Sequence, residues 1–444
     1  MKESKYNYSF EDGDNIILFN ARTNALAKMA KQDFKKFTEY VLDNENIINN
    51  ELKKSLVYGG YIVEDDVDEL EMIRHNVLAS RFASNVMNLT IAPTSDCNFR
   101  CPYCYERSVL RPCKMNDETA NDIICFINNQ IHHLDSLNIT WYGGEPLLEI
   151  DRLLGLSNQI ITSCEQNDVK YFGSIITNGY LLDLETLRKL INVKIKHIQI
   201  TLDGPKEYHD NRRYRIGKKP TFDQIISNLS SFSQICSDSD FPLISVRMNL
   251  DRNNIDGLKE LAELLNDEPF NKYIYFYIAS VYDKNDKENK YTFTPEEFNK
   301  IDGVFKKDKL TDYQRFYPTP PGVHCVCDSL NGFVIDADGS LYKCWEEMGN
   351  KKLCIGNIHD FEFNVKSQFY YDYLLFDPTI NENCKNCEVL PACMGGGCPN
   401  RIIRNEYKPN CENIIDLIHE NIKASYRLMD NDVKRKGESE PCNS

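Results

Sequence analysis

The sequence predicts an α/β fold built on a parallel sheet, and three observations carry that prediction. Six apolar runs recur between Asn88 and Ser280, at Leu89 to Ala92, Leu137 to Trp141, Tyr171 to Ile176, His197 to Leu202, Ile244 to Leu250 and Tyr273 to Ile278. Segments with helical apolar spacing separate them, and this alternation is the pattern of βαβ units. The glycine-rich and polar signatures fall directly after the runs, at the strand ends where such sheets place their sites. Six repeats predict a partial (β/α)6 barrel.

Composition narrows the function. A chain of 444 residues suits about three domains on the usual prior. Its 67 acidic and 52 basic side chains leave a formal charge of -15, which opposes binding to a phosphate backbone. Nucleic acid is therefore not an expected partner. No run approaches the length of a membrane span, and Met1-Lys2-Glu3-Ser4-Lys5-Tyr6-Asn7 lacks the apolar core of a signal peptide. A cytoplasmic chain without membrane contact is expected. The 17 cysteines then read better as metal ligands than as a disulfide framework.

Residues 1–65 predict a small module. Tyr6 to Ser9 and Asn15 to Asn20 pair across Glu11-Asp12-Gly13-Asp14, Phe34, Phe37 and Val41 recur at helical spacing, a shorter helix runs near Ile47 to Leu56, and Gly59-Gly60 leads into Tyr61-Ile62-Val63. Strands and helices in that order give a winged-helix-like unit, read either as a cap or as a peptide-docking element. Residues 66–87, with Leu70, Ile73 and Val77 on one face, are expected to be a connecting helix.

After the first apolar run comes Thr94-Ser95-Asp96-Cys97-Asn98-Phe99-Arg100-Cys101-Pro102-Tyr103-Cys104-Tyr105. Three thiols this close suit one soft centre, either an iron-sulfur cluster with an open iron or a zinc ion borrowing a fourth ligand. Trp141-Tyr142-Gly143-Gly144-Glu145-Pro146 follows the second run, where paired glycines allow close backbone approach and Glu145 offers an acceptor suited to an ammonium group. Thr177-Asn178-Gly179 follows the third run, and Thr201-Leu202-Asp203-Gly204-Pro205 with His209-Asp210-Asn211-Arg212-Arg213 follows the fourth. Individually these are turn signals.

The charged stretch Asp283 to Lys290 reads as a solvated loop, and Pro318-Thr319-Pro320-Pro321-Gly322 as a boundary. Beyond it stand Cys325 and Cys327, a hairpin signal with Asp338-Gly339 at its turn, then Cys344, Cys384, Cys387, Cys393, Cys398 and Cys411. Spacing alone admits a zinc module here. Cys113, Cys125, Cys164, Cys236, Cys354 and Cys442 have no ligand spacing and read as small apolar residues. Residues 412–429, with Ile415, Ile418, Ile422 and Tyr426, predict a closing amphipathic helix.

The three-cysteine loop with Tyr103 before its last thiol resembles the radical S-adenosylmethionine (SAM) superfamily. That resemblance implies a 4Fe-4S cluster on Cys97, Cys101 and Cys104 whose open iron binds SAM, and a 5'-deoxyadenosyl radical that abstracts hydrogen from an unactivated carbon. Gly143, Gly144 and Glu145 match the motif that holds the SAM amino group. Tyr103, Ser174 near the ribose and Arg213 near the carboxylate complete the implied cofactor-binding set. The Leu-Asp-Gly-Pro and His-Asp-x-x-Arg stretches resemble the branch acting on peptides, while His209 itself reads as a structural imidazole.

The later cysteines resemble the SPASM extension, which implies two auxiliary 4Fe-4S clusters in a domain over residues 317–430, after a core over 88–316 and before a tail over 431–444. Ligation there is interleaved. Cys344 and Cys398 with Cys325, Cys327 or both would serve the first, and Cys384, Cys387, Cys393 and Cys411 the second. Cys393 and Cys398 are separated by four residues where the common pattern has three. The whole resembles maturases that form thioethers in ribosomally made peptides, with the leader bound by residues 1–65 and electrons from a flavodoxin or ferredoxin. Two alternatives stand beside it. One is an anaerobic sulfatase-maturing enzyme, against which the long stretch before Asn88 counts; the other is a non-catalytic iron-sulfur or zinc scaffold. No residue is named as a substrate base.

Overall fold

The structure is a computed structural model, and it describes residues 1–43, 48–105, 112–281, 286, 290–307, 325–360, 367–396, 398, 403 and 414–438. Two compact units result. One draws on both ends of the chain, Met1–Arg81 and Leu375–Ser444, and the other comprises Phe82–Asp312 and Cys325–Leu374.

In the first unit, strands β1 (Lys2–Glu3), β2 (Asn7–Asp12), β3 (Asn15–Asn20), β4 (Ala25–Ala30) and β5 (Ile62–Val63) form two small sheets. β2, β3 and β4 make an antiparallel meander, whereas β1 pairs with β5. The third meander strand is a departure from the expected pair. Ala25-Leu26-Ala27-Lys28-Met29-Ala30 has a helix-former's composition, and pairing along the whole of β3 overrides that weak propensity. Helices Lys31–Asp43 and Asn50–Tyr58 follow. The Asn49 side chain caps the second by accepting from the Leu52 N–H at 2.7 Å. Leu18, Phe37, Tyr40, Leu56, Tyr61 and Ile62 form the core beneath them.

A second core in this unit includes one of the later cysteines. Tyr6, Phe19 and Ala21 pack with Ile73 and Val77 of helix Glu69–Arg81, with Cys384, Val389, Leu390 and Met394, and with Ile418 and Ile422 of helix Ile414–Glu438. Ile415, expected on the buried face of that last helix, is exposed because it lies in the first turn, ahead of the contact that begins at Ile418.

In the larger unit, β6 (Val86–Ile91), β7 (Ser136–Trp141), β8 (Lys170–Thr177), β9 (Ile195–Thr201), β10 (Leu243–Leu250) and β11 (Ile274–Ser280) are the six expected strands, paired in parallel in chain order. Strands β12 (Gly332–Ile335), β13 (Ser340–Tyr342) and β14 (Gly356–Asn357) extend the sheet from the β6 edge. The β12–β13 hairpin turns at Asp336 to Ser340, where Gly339 takes a positive φ of 81°. The sequence did not reveal that β12 pairs in parallel with β6, so that the hairpin closes one edge of the barrel sheet.

The strands alternate sharply. Leu89, Ile91, Leu137, Ile139, Trp141, Ile175, Ile198, Ile200, Val246 and Met248 join the helices in one apolar core. The opposite face carries polar side chains bonded across strands, including Asn138 to Asn88 at 2.8 Å, Thr140 with Ser174 at 2.9 Å, His197 with Ser245 at 2.8 Å and Tyr277 to Gln199 at 2.6 Å. A parallel sheet normally buries apolar residues on both faces, so this polar face marks the side given to ligands.

Candidate active site

The cysteine loop lies over the carboxyl ends of β6 to β9, and each end grips it. Gly144 donates its N–H to Thr94 O at 3.2 Å and Glu145 its N–H to Asp96 O at 2.8 Å. A Cβ on Gly144 would stand 2.2 Å from Asp96 O, and one on Gly143 2.5 Å from Thr94 O. The paired glycines are thus required for contact with the backbone of the cysteine loop itself.

Glu145 is fully buried. Its Oε1 accepts from Thr177 Oγ1 at 2.7 Å and the Leu147 N–H at 3.0 Å, and its Oε2 from the Asn178 N–H at 2.7 Å. Burial pushes its carboxyl up from the usual range, and these three donors oppose the shift. Asn178 also donates to Asn98 Oδ1 at 2.7 Å, tying the end of β8 to the loop.

The other side of the loop is held by charge. The Tyr103 hydroxyl donates to Asp203, a wholly buried carboxylate just past β9, and accepts from Arg213 at 2.7 Å. Arg212 spans Asp203 and Asp251 at 3.3 and 2.9 Å and lies over the Tyr103 ring. Phe99 bridges in antiparallel fashion to Arg215, and the Arg100 N–H bonds Tyr214 O at 2.8 Å. Sequence reasoning assigned no role to Asp203, Arg212 or Asp251. The signal available was an aspartate at each of two successive parallel strand ends. His209 is buried, its Nδ1 accepting from the Asp203 N–H at 3.2 Å and its Nε2 facing Thr221 Oγ1 at 3.1 Å, and burial holds its pKa well below the ordinary value.

Of the expected cofactor residues, Tyr103, Gly143, Gly144, Glu145 and Arg213 meet around the cysteine loop. Ser174 instead sits lower on the polar face, sharing its hydroxyl with Thr140 and donating to Ile139 O at 3.3 Å. Cys97, Cys101 and Cys104 form no disulfide among the described residues and are partly covered. Burial pushes the Cys97 thiol up, and Glu145 and Cys101 add to the effect. An all-sulfur donor set on one loop, with buried Arg213 Nε and Asp203 Oδ1 left without hydrogen-bond partners, fits a soft cluster plus a zwitterionic ligand.

Cys325, Cys327 and Cys344 lie in the larger unit. A hydrogen bond with Cys327 pulls the Cys325 thiol down to about 7, while Cys327 itself is raised by that bond and by burial. Cys344 adds to the charge felt at Cys327. Cys384, Cys387 and Cys393 lie in the first unit on two short helical turns, Glu382–Lys385 and Leu390–Cys393, the former capped by the Asn381 side chain. Cys398 is exposed, and Cys411 lies outside the described residues. Among the described residues, no three His, Cys, Asp or Glu side chains converge closely enough to hold a single metal ion.

Residues 91–265 match the model of the radical SAM superfamily. A cysteine-type anaerobic sulfatase-maturating enzyme of Clostridium novyi is 25% identical over 354 residues, covering 74% of this chain and 90% of that protein. The fold resembles native anSMEcpe with bound AdoMet at a TM-score of 0.61 and 20% identity, over 79% of this chain and 99% of that one. It also resembles Streptococcus suis SuiB bound to precursor peptide SuiA at a TM-score of 0.51 and 15% identity, over 92% of this chain and 99% of that one. Residues 91–265 thus match a radical SAM domain, and the chain is similar to a maturating enzyme over most of its length. The radical SAM superfamily that residues 91–265 match uses a 4Fe-4S cluster and SAM. Among the described residues, no helix is long and apolar enough to cross a membrane.

Proposed function

We propose that this enzyme modifies a ribosomally made precursor peptide, forming a thioether between a cysteine thiol and a backbone or side-chain carbon. The supporting observation is the extent of the fold likeness, which covers 92% of this chain for SuiB, described with a precursor peptide, against 79% for anSMEcpe. When bound, the cluster and SAM supply a 5'-deoxyadenosyl radical that removes a hydrogen atom from the substrate.

The protein's own contribution is placement. Glu145 meets the SAM ammonium and Arg213 its carboxylate, while Tyr103, fixed between Asp203 and Arg213, keeps the loop rigid. The polar face with Ser174, Gln199 and Tyr277 receives the reacting segment of the peptide. The two auxiliary cysteine sets would each hold a 4Fe-4S cluster, and an electron donor such as flavodoxin or ferredoxin would supply the electron that SAM cleavage consumes. Residues 1–65 recognise the leader, which adds as a strand to an outer edge of the meander and raises the local concentration of the segment to be modified.

Sulfatase maturation is the second reading, favoured by the similarity to the Clostridium novyi enzyme. Mass spectrometry separates the two. The chain is coexpressed with a small cysteine-rich open reading frame from its neighbourhood, with and without the leader. A loss of two hydrogens per crosslink with no free thiol, dependent on the leader, is expected. Formylglycine in a sulfatase peptide, with the small peptide unchanged, would replace this proposal by the second reading.

A further inference from the structure

The polar face of the sheet holds a cation that lies apart from the contacts around the cysteine loop. Arg247 of β10 alternates with Val246 and Met248, which belong to the apolar core, so it stands on the opposite face with Ser245 and Asn249. It is in register with Thr201, the last residue of β9, and with Tyr277 of β11. Its neighbours on that face bond one another, the Tyr277 hydroxyl donating to Gln199 Oε1 at 2.6 Å and His197 facing Ser245 Oγ at 2.8 Å. Arg247 Nε is buried and has no hydrogen-bond partner, while the residue as a whole stays partly open. Among the described residues, no carboxylate lies within ion-pair distance of its guanidinium. The arginines near the cysteine loop are engaged instead, Arg212 by Asp203 and Asp251, Arg213 by Tyr103, and Arg215 by the Tyr180 hydroxyl at 2.8 Å.

A guanidinium with a buried, unbonded N–H is costly, and a carboxylate is the group whose two oxygens match its planar fork. The carboxylates at the strand ends are taken, Glu145 by three donors, Asp203 by Tyr103 and Arg212, and Asp251 by Arg212. We propose that Arg247 is a specificity-determining residue that binds a carboxylate of the substrate peptide close to the residue that loses hydrogen, carried by an acidic side chain or by the peptide's C-terminus. The inference rests on the peptide-modifying reading above and names the class of peptide taken. Arg213 lies past the end of β9 with Tyr103, whereas Arg247 lies on the strand face that receives the reacting segment, so the two cations serve different anions. A peptide with an amide at that place would leave the Arg247 N–H unpaired, and that penalty supplies the selection.

The test is anaerobic coexpression of the full chain with the small cysteine-rich precursor from its neighbourhood, read by mass spectrometry. The precursor is used as it stands, with each aspartate or glutamate changed singly to its amide, and with a run of glycines added at its C-terminus. Wild type, Arg247→Gln and Arg247→Lys are compared, and SAM binding by each purified, cluster-loaded chain is measured by titration. Arg247→Gln is expected to lower modification of the natural precursor by about tenfold or more, with SAM affinity unchanged. Wild type should lose as much when one acidic residue becomes an amide, and Arg247→Gln should lose nothing further on that peptide. A loss reproduced by the glycine extension alone would assign the carboxylate to the C-terminus. Should Arg247→Gln yield no folded chain, Arg247→Lys is judged by the same rule: a loss confined to the carboxylate-bearing precursor upholds the proposal, and an equal loss on both precursors overturns it. Indifference of wild type to every carboxylate of the precursor also overturns it, as does a SAM affinity that falls together with modification, which would give the guanidinium to SAM. Modification at the wild-type level by Arg247→Gln removes Arg247 alone, whereas a precursor left untouched by wild type refutes the peptide-maturase reading and this inference with it.

Discussion

The loop of Cys97, Cys101 and Cys104 and the pair of turns bearing Cys384, Cys387 and Cys393 are held by opposite means. Strand ends clamp the first with polar contacts, through Glu145, Asn178, Asp203 and Arg213, and the glycine contacts at Thr94 and Asp96 set its height. The second rests on an apolar floor of Tyr6, Phe19, Ile73 and Val77, contributed by residues more than three hundred positions earlier. A directional network suits a centre that must hold a cofactor to within fractions of an ångström, because misplacement there is paid in rate. Apolar packing suits a centre whose need is exclusion of water.

The sharpest way to break the first clamp is Gly144→Ala. The added carbon meets backbone at 2.2 Å, where no side chain can yield, so the loop must move. SAM cleavage is expected to fall on the order of a hundredfold or more, measured as 5'-deoxyadenosine formed under reducing conditions. Full activity would show that the loop is not set by this contact.

Tyr6→Ala probes the second clamp. Removing a buried aromatic ring costs about 3 to 5 kcal/mol locally, and Tyr6 lies in the same core as Cys384 and Met394. Iron should drop by about four per chain, one 4Fe-4S cube, while 5'-deoxyadenosine formation without peptide persists and Tyr6→Phe behaves as wild type. Equal loss at all clusters would erase the distinction between the two regions.

That core also shows where the sequence stopped speaking. The six barrel strands and the hairpin turn were legible because each is a local pattern of apolar period and turn residues. The glycines at Gly143 and Gly144 were legible as a place of close approach, although what approaches is Thr94 and Asp96 of the neighbouring loop. β4 was hidden by its alanines, since strand pairing with β3 decides its state. The packing of Tyr6 and Phe19 against Val389 and Leu390 was hidden by distance along the chain, as no local period encodes such a contact. Asp203 announced only a turn, and its burial between Tyr103 and Arg212 needed the fold.

Smaller effects sharpen the polar side. Glu145→Gln removes a charge-assisted contact of about 1.5 to 3 kcal/mol, so SAM binding by titration should weaken roughly tenfold or more. Unchanged affinity would remove Glu145 from the cofactor site. The smallest effect concerns pH. His209 is kept neutral in the fold by burial, and then by Arg213 and Arg212, with its pKa well below the ordinary value. The unfolded chain therefore binds this proton first as pH falls, so the contribution is constant above about 6.5 and stability is lost below it, by up to about 1.4 kcal/mol per pH unit. Denaturant titration of wild type and His209→Gln at several pH values should show the wild type losing more on acidification; parallel losses would mean that His209 is not the group responsible.

The central claim is that one loop carries the SAM chemistry while the remaining thiols hold separate clusters. Cys97, Cys101 and Cys104 are replaced together by alanine, and the anaerobically reconstituted chain is assayed for iron and for 5'-deoxyadenosine from SAM. The account predicts no 5'-deoxyadenosine and about eight irons retained of about twelve. Continued SAM cleavage by the triple variant, or loss of all its iron, would contradict it.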